Sequence, residues 1–149
     1  TGAKPTEILA LRGNDIIEED GQVSVRFGGR HGRISDLSPD AWATVKRHKG
    51  GRRGDLPLFT KERLDETEAK PLTREGLWKV LKGYGELIER PDLSPRVLRE
   101  TFIANVETND PKELAKLLGS NEEYAYQILK RRRLTDQLPP RGVIFKATA

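Results

Sequence analysis

Arg96 and Arg99 stand three residues apart in the stretch Ser94–Pro95–Arg96–Val97–Leu98–Arg99. On a helix that spacing puts both guanidinium groups on one face, about one turn apart. Two such forks can hold the oxygens of one phosphate; the plainer reading is a pair of exposed arginines beside Glu100. Three further stretches suit the same kind of ligand. Arg30, His31 and Arg33 occupy a glycine-rich segment, Lys46, Arg47, Arg52 and Arg53 lie in or beside a second one, and Lys130 and Arg131 open a run of four cations. Charge of this sort follows a nucleic-acid backbone rather than reading its bases, or else it is simply solvated. There is no cysteine and there are only two histidines, His31 and His48. Thiolate nucleophiles, disulfides and histidine-rich metal sites are therefore excluded, and no metal or cofactor is expected.

The charge pattern supports a phosphate-bearing partner. The 149 residues carry 27 Lys+Arg against 23 Asp+Glu, a net of +4. Residues 22–53 alone carry a net of +6 and residues 126–149 a net of +5, whereas residues 1–21 carry −3 and the remaining segments −2 each. If the two basic blocks meet on one face, that face attracts phosphate. The composition, 35% hydrophobic and 34% charged, is that of one small domain with a wide polar surface. No apolar run approaches the roughly 20 residues a bilayer requires, and no signal-peptide pattern opens the chain. A cytoplasmic protein, nucleoid-associated if prokaryotic, is the expectation. Because the first residue is Thr1, the chain reads as a piece of a longer one.

The elements that must position these residues follow from caps and periodicity. Pro5 to about Arg12 reads as a short helix. Val23, Val25 and Phe27 alternate as a half-buried strand, and Ile34 to Leu37 can return as its hairpin partner. Ser38–Pro39–Asp40 starts a helix that carries Trp42 and Val45 inward and ends near His48. A longer helix runs from Thr73 to about Glu89, with Leu77, Val80, Leu81, Tyr84, Leu87 and Ile88 at helical spacing and three weakening glycines, Gly76, Gly83 and Gly85. Ser94–Pro95 opens the next, burying Leu98, Phe102, Ile103 and Val106. Asp110–Glu113 and Ser120–Glu123 read as capping boxes of two more helices, separated by the stop at Gly119. Pro139–Pro140 ends the last helix, and Val143–Phe145 can form a terminal strand. Trp42 and Trp78 fall at core spacing and read as packing residues. The fold class is α+β, mainly helical, with helices packed around a small antiparallel hairpin or sheet.

Four stretches in register resemble the catalytic domain of the tyrosine recombinases, the phage-integrase family. Thr1–Gly2–Ala3–Lys4–Pro5–Thr6–Glu7–Ile8–Leu9, running on to Asp15–Ile16, is similar to the family's opening motif. There a Thr–Gly pair precedes a catalytic arginine, and a Glu-Leu helix leads to an Asp-Ile strand. Leu93 to Phe102 is similar to the His-x-x-Arg motif, Leu114 to Gly119 to the Leu-Leu-Gly element before the nucleophile helix, and Pro71 to Trp78 to the helix preceding the second motif. The resemblance covers nearly the whole chain. It implies a tyrosine oxygen that attacks a DNA phosphodiester and two arginines that hold the non-bridging oxygens. A hairpin lysine protonates the leaving oxygen, histidines assist, and no metal takes part.

On that pattern Arg99 matches the second arginine, Arg96 stands where histidine is usual, and Lys4 replaces the first arginine. Gly28 or Gly29 takes the place of the hairpin lysine, with Arg30, His31 and Arg33 nearby, and Ser120 replaces the histidine after Leu-Leu-Gly. Ten residues past Gly119, where the nucleophile belongs, the residue is Leu129. Tyr126 lies three residues earlier, about 4.5 Å along a helix and about 60° around it; Tyr124 is a more distant candidate, and both also suit packing or surface roles. The catalytic candidates are thus Arg99, Arg96, Lys4 and Tyr126. The expectation is a single recombinase-like domain over 1–149, without its first helices and without an N-terminal DNA-clamping domain. It binds duplex DNA with strand cleavage impaired or lost, as a regulator, an accessory factor or a mobile element's remnant, and can self-associate on DNA. The alternatives are an active divergent recombinase using Tyr126 or another subunit's tyrosine, and a protein-interaction domain on the same fold.

Overall fold

The computed structural model describes residues 1–61 and 69–136, the side chains of 134–136 excepted. The expected helix end at Pro139–Pro140 and the expected strand at Val143–Phe145 lie outside the described residues. Six helices and a three-stranded sheet follow in the order α1 (Pro5–Ala10), β1 (Ile16–Glu19), β2 (Gln22–Phe27), β3 (Arg33–Asp36), α2 (Pro39–Lys49), α3 (Arg74–Leu87), α4 (Pro95–Asn105), α5 (Pro111–Leu118) and α6 (Glu122–Asp136).

The helices begin where their caps dictate. Ser38 accepts the Ala41 amide, Thr73 the Gly76 amide, Ser94 the Val97 amide and Asp110 the Lys112 amide, each satisfying a donor the first helical turn leaves open. Proline follows the cap in α1, α2, α4 and α5, where its missing N–H costs nothing. The cap of α6 is displaced from the expected one. Asn121 Oδ1 accepts the Tyr124 amide at 2.9 Å, so the Ser120 hydroxyl is released from capping.

The sheet is antiparallel in the order β1-β2-β3. β1 and β2 join through Asp20 and Gly21, both at positive φ, the Asp-Gly pairing that suits a tight hairpin. Along β2 the alternation holds: Val23, Val25 and Phe27 are buried. In β3, Arg33 pairs with Phe27. Cross-strand partners point to the same side, so Arg33 turns inward with the Phe27 ring.

Two apolar clusters form. Leu11, Val25, Phe27 and Leu58 gather with Ala3, Ile16, Leu37, Val45 and Phe59 around the sheet. Leu114, Ala115, Leu118, Ala125 and Leu129 gather with Phe102, Ile103, Val106 and Ile128 between α4, α5 and α6. Helix α3 departs from expectation. It packs on α1, and its covered positions are Gly76, over Leu72, and the i, i+4, i+8 stripe of Leu77, Leu81 and Gly85. Trp78 is 53% exposed, and Val80, Tyr84, Leu87, Ile88 and, on α4, Leu98 are exposed as well. Trp78 is thus no core residue: the covered stripe is narrower than the apolar one. Of the three weakening glycines in α3, Gly85 is explained by close approach, since a Cβ there would lie 2.5 Å from the Arg90 carbonyl oxygen. Gly83 faces open space.

Candidate phosphate-binding cleft

Four segments distant in sequence converge on one open cleft of about 380 Å³, lined by Lys4, His31, Arg99, Ser120, Asn121 and Tyr124. Lys4 precedes α1, His31 lies in the β2–β3 connection, Arg99 is on α4, and the other three belong to the α5–α6 turn and the first turn of α6. None of the six is acidic. The Lys4 ammonium donates to the Gly119 carbonyl at 2.8 Å. Arg99 donates one terminal nitrogen to the Gly2 carbonyl and the other to the Leu118 carbonyl at 3.2 Å. Gly2 can serve this way because it has positive φ and no Cβ: an added one would fall 2.3 Å from the Phe102 ring. The Ser120 hydroxyl is buried without a hydrogen-bond partner, and a buried hydroxyl left unpaired is costly. An anion in the cleft has two cations and an unsatisfied donor within its walls.

Beneath the cleft lies Arg33, whose side chain is 2% exposed. Its Nη2 meets Glu7 Oε2 at 3.3 Å and the Thr1 carbonyl at 3.3 Å, its Nη1 meets Ser35 Oγ at 3.3 Å, and its guanidinium lies 4.2 Å above the Phe27 ring centroid. Arg33 Nε is buried without a partner. Burial pushes the guanidinium below its ordinary pKa, Glu7 opposes this, and the nearby charge of Arg99 adds to the lowering. Arg33 is therefore a correction to the sequence reading: a side chain so enclosed makes no direct contact with DNA. The hairpin register carried the missed signal, because pairing Arg33 opposite Phe27 assigns residue 33 to the inward face.

The other candidates fall into three groups. Lys4, Arg99 and His31 are brought together. Arg96 is exposed and paired with Glu100 at 2.7 Å, and it does not line the cleft; one turn of separation on α4 turns Arg99 toward Gly2 and leaves Arg96 at the surface. Tyr126 also stays away from the cleft. It lines a different cavity with Asn109, Pro111, Leu129, Lys130 and Arg133, while Tyr124 lines the cleft. Leu129 is 3% exposed and belongs to the apolar cluster. Of the remaining basic residues, Arg30, Lys46, Arg47, Lys130 and Arg131 are exposed. Arg53 is exposed but paired with Asp55.

Arg52 is spent internally, and this too corrects the sequence reading. It donates to the Lys49, His48 and Leu58 carbonyls and to Thr60 Oγ1, because the chain folds its own acceptors around that guanidinium. Arg132, part of the four-cation run read as backbone-tracking charge, is likewise turned inward: it donates to the Ile103 carbonyl in the last turn of α4 and to the Val106 and Thr108 carbonyls just beyond it.

Among the described residues no group of three His, Cys, Asp or Glu side chains is placed to hold a metal ion, and no helix is long and apolar enough to cross a membrane. No protein-family profile matches the chain. Curated relatives do. The tyrosine recombinase XerC of Herpetosiphon aurantiacus is 40% identical over 130 residues, covering 80% of this chain and 40% of that protein. XerC of Roseiflexus castenholzii is 30% identical over 141 residues, covering 86% and 43%. XerD of Listeria monocytogenes is 29% identical over 135 residues, covering 86% and 45%. The chain thus spans less than half the length of these relatives. Among solved structures, the XerH site-specific recombinase in a pre-cleavage complex with its difH substrate superposes with a TM-score of 0.65 at 19% identity, covering 91% of this chain and 41% of that one. The order of the motifs, the shared fold and these relatives agree: the chain belongs to the tyrosine recombinase family and corresponds to its catalytic domain.

Proposed function

We propose that this domain binds duplex DNA by seating a backbone phosphate in the cleft of Lys4, Arg99 and Ser120, and that it does so with strand cleavage impaired or lost. The observation that carries this reading is the cleft itself. Two cations and no carboxylate line it, an unpartnered hydroxyl, that of Ser120, is buried in its wall, and the position ten residues past Gly119 is a leucine locked in the core. Lys4 has three N–H donors, one of them held by Gly119, which leaves two for phosphate oxygens. Arg99 adds a fixed positive charge, and Ser120 a neutral donor. The exposed cations Arg30, Lys46, Arg47, Lys130 and Arg131 suit further backbone contacts.

The chemistry of strand cleavage lacks two parts by this reading. No phenol stands at the position of Leu129, and the β2–β3 connection offers glycines in place of a lysine general acid. An arginine there is a poor proton donor, since a guanidinium holds its proton far more tightly than an ammonium. The competing reading, a divergent recombinase, has one observation in its favour: Tyr124 lines the same cleft as Arg99 and Lys4. That makes Tyr124, rather than Tyr126, the phenol to test.

The experiment uses a pool of nicked duplexes that trap covalent intermediates, read on a denaturing gel, with a native gel run in parallel over a salt series. The expected result is a salt-sensitive shift and no covalent band. A DNA-linked band that vanishes in Tyr124→Phe and survives in Tyr126→Phe would replace this reading with the divergent recombinase. No shift at any salt concentration would remove DNA binding from the domain.

A further inference from the structure

Arg33 is the one charged residue among the described residues that is buried, and neither solvent nor the cleft has access to it. A buried ion pair rarely stabilises a protein more than apolar side chains of the same volume would, and the unpaired Nε adds a further cost. Its placement carries more information than its energy. Glu7 Oε2 receives both Arg33 Nη2 at 3.3 Å and the Lys4 amide at 2.6 Å, so the buried guanidinium is one acceptor removed from the backbone of Lys4. On the other side, Gly119 rests on the pair. It has φ 55° and ψ 51°, and a Cβ there would lie 3.1 Å from each of Arg33 Nε, Glu7 Oε1 and the His31 carbonyl. The N-terminal stretch, α1, the β2–β3 hairpin and the α5–α6 turn therefore meet at one side chain.

We propose that Arg33 is a positioning residue for the cleft: gripped by Glu7 and the Thr1 carbonyl, it fixes where Lys4 and the Gly119–Ser120 turn stand relative to each other, so that Lys4, Arg99 and Ser120 face one phosphate. The proposal rests on the phosphate-binding reading of the cleft and assigns Arg33 no contact with DNA. A planar fork with several donors can hold Glu7, Thr1 and Ser35 at once, whereas an ammonium reaches fewer of them with poorer geometry. Lysine is thus a partial substitute and methionine, of similar length, is none.

The test compares Arg33→Met and Arg33→Lys with the unmodified chain by thermal unfolding, by ¹⁵N spectra of the Arg99 Nε–H and Ser120 amide, and by duplex affinity over a salt series. Arg33→Met is expected to stay folded, to displace both resonances, to weaken duplex binding about tenfold and to flatten the salt slope by about 0.9, the value of one phosphate contact. Arg33→Lys is expected to recover part of each change. A folded Arg33→Met chain whose Arg99 and Ser120 resonances are unmoved would overturn the proposal, and so would resonances displaced equally in Met and Lys. If Arg33→Met does not fold, Glu7→Gln, which keeps an acceptor for the Lys4 amide while removing the charge that grips Arg33, takes its place with the same two resonances deciding. Should the unmodified chain bind no duplex, the phosphate-binding reading falls, and the spectra still decide whether Arg33 orders the cleft.

Discussion

Lys4 donates its ammonium to the carbonyl of Gly119, 115 residues further along the chain, at 2.8 Å. This contact ties the segment before α1 to the turn before α6 and leaves the Lys4 charge at the cleft wall. Lys4→Met is expected to weaken duplex binding about tenfold and to lower the salt slope by about 0.9. Lys4→Arg keeps the charge and is expected to bind at least as tightly. Anisotropy titrations at several salt concentrations check both; an unchanged slope in Lys4→Met would take Lys4 out of the interface.

Gly119 holds a left-handed conformation between Arg33, Glu7 and the His31 carbonyl. Gly119→Ala is expected to destabilise the domain by about 1–3 kcal/mol, from the left-handed backbone alone about 1–2 kcal/mol with the rest from crowding. Denaturant unfolding measures it. A variant as stable as the parent would mean the turn relaxes freely, against the crowding described.

Leu129 and Tyr126 lie three residues apart and meet different surroundings, the first 3% exposed and the second 50%. Leu129→Ala is expected to cost about 2–5 kcal/mol, the usual result of emptying a leucine site in a core. Tyr126→Ala is expected to stay within about 1 kcal/mol, as for most surface positions. Equal losses in urea unfolding would show that the helix presents a different face from the one described.

Arg132 donates to the Ile103 carbonyl in the last turn of α4 and to the Val106 and Thr108 carbonyls just beyond it, whereas Lys130, two residues earlier, is exposed. Arg132→Ala is expected to lower stability by about 1.5–3 kcal/mol, the range for hydrogen bonds from a charged group, and to leave the salt slope of DNA binding unchanged. Lys130→Ala should do the reverse. The two measurements separate structural charge from surface charge within one run of four cations.

Much of the secondary structure is legible in the sequence because its signals are local. Ser38, Thr73, Ser94 and Asp110 each close a first turn with their own side chains, and the alternation at Val23, Val25 and Phe27 is a property of the strand itself. The reading erred where a side chain's surroundings come from elsewhere. Trp78 has core spacing, yet the covered side of α3 runs through Gly76, Leu77, Leu81 and Gly85 and leaves Trp78 outside it. Ser120 looks like a cap, but Asn121 outcompetes it.

The sequence by itself determined the helices, the β2–β3 hairpin and their order, and through the resemblance the family, since caps, periodicities and motif spacing are written in adjacent residues. It also placed Arg99 and Lys4 in one site through the resemblance. Only the tertiary structure decided which cations face the cleft. Arg30 and Arg33 sit three residues apart, yet pairing with Phe27 turns the second into the interior. Tyr124 and Tyr126 differ by about 200° around α6, so the packing of Leu129 and Ala125 against α5 selects the first for the cleft. The physical reason is the same in each case: local chemistry fixes the face of an element on which a side chain lies, and segments up to 115 residues away fix what that face meets.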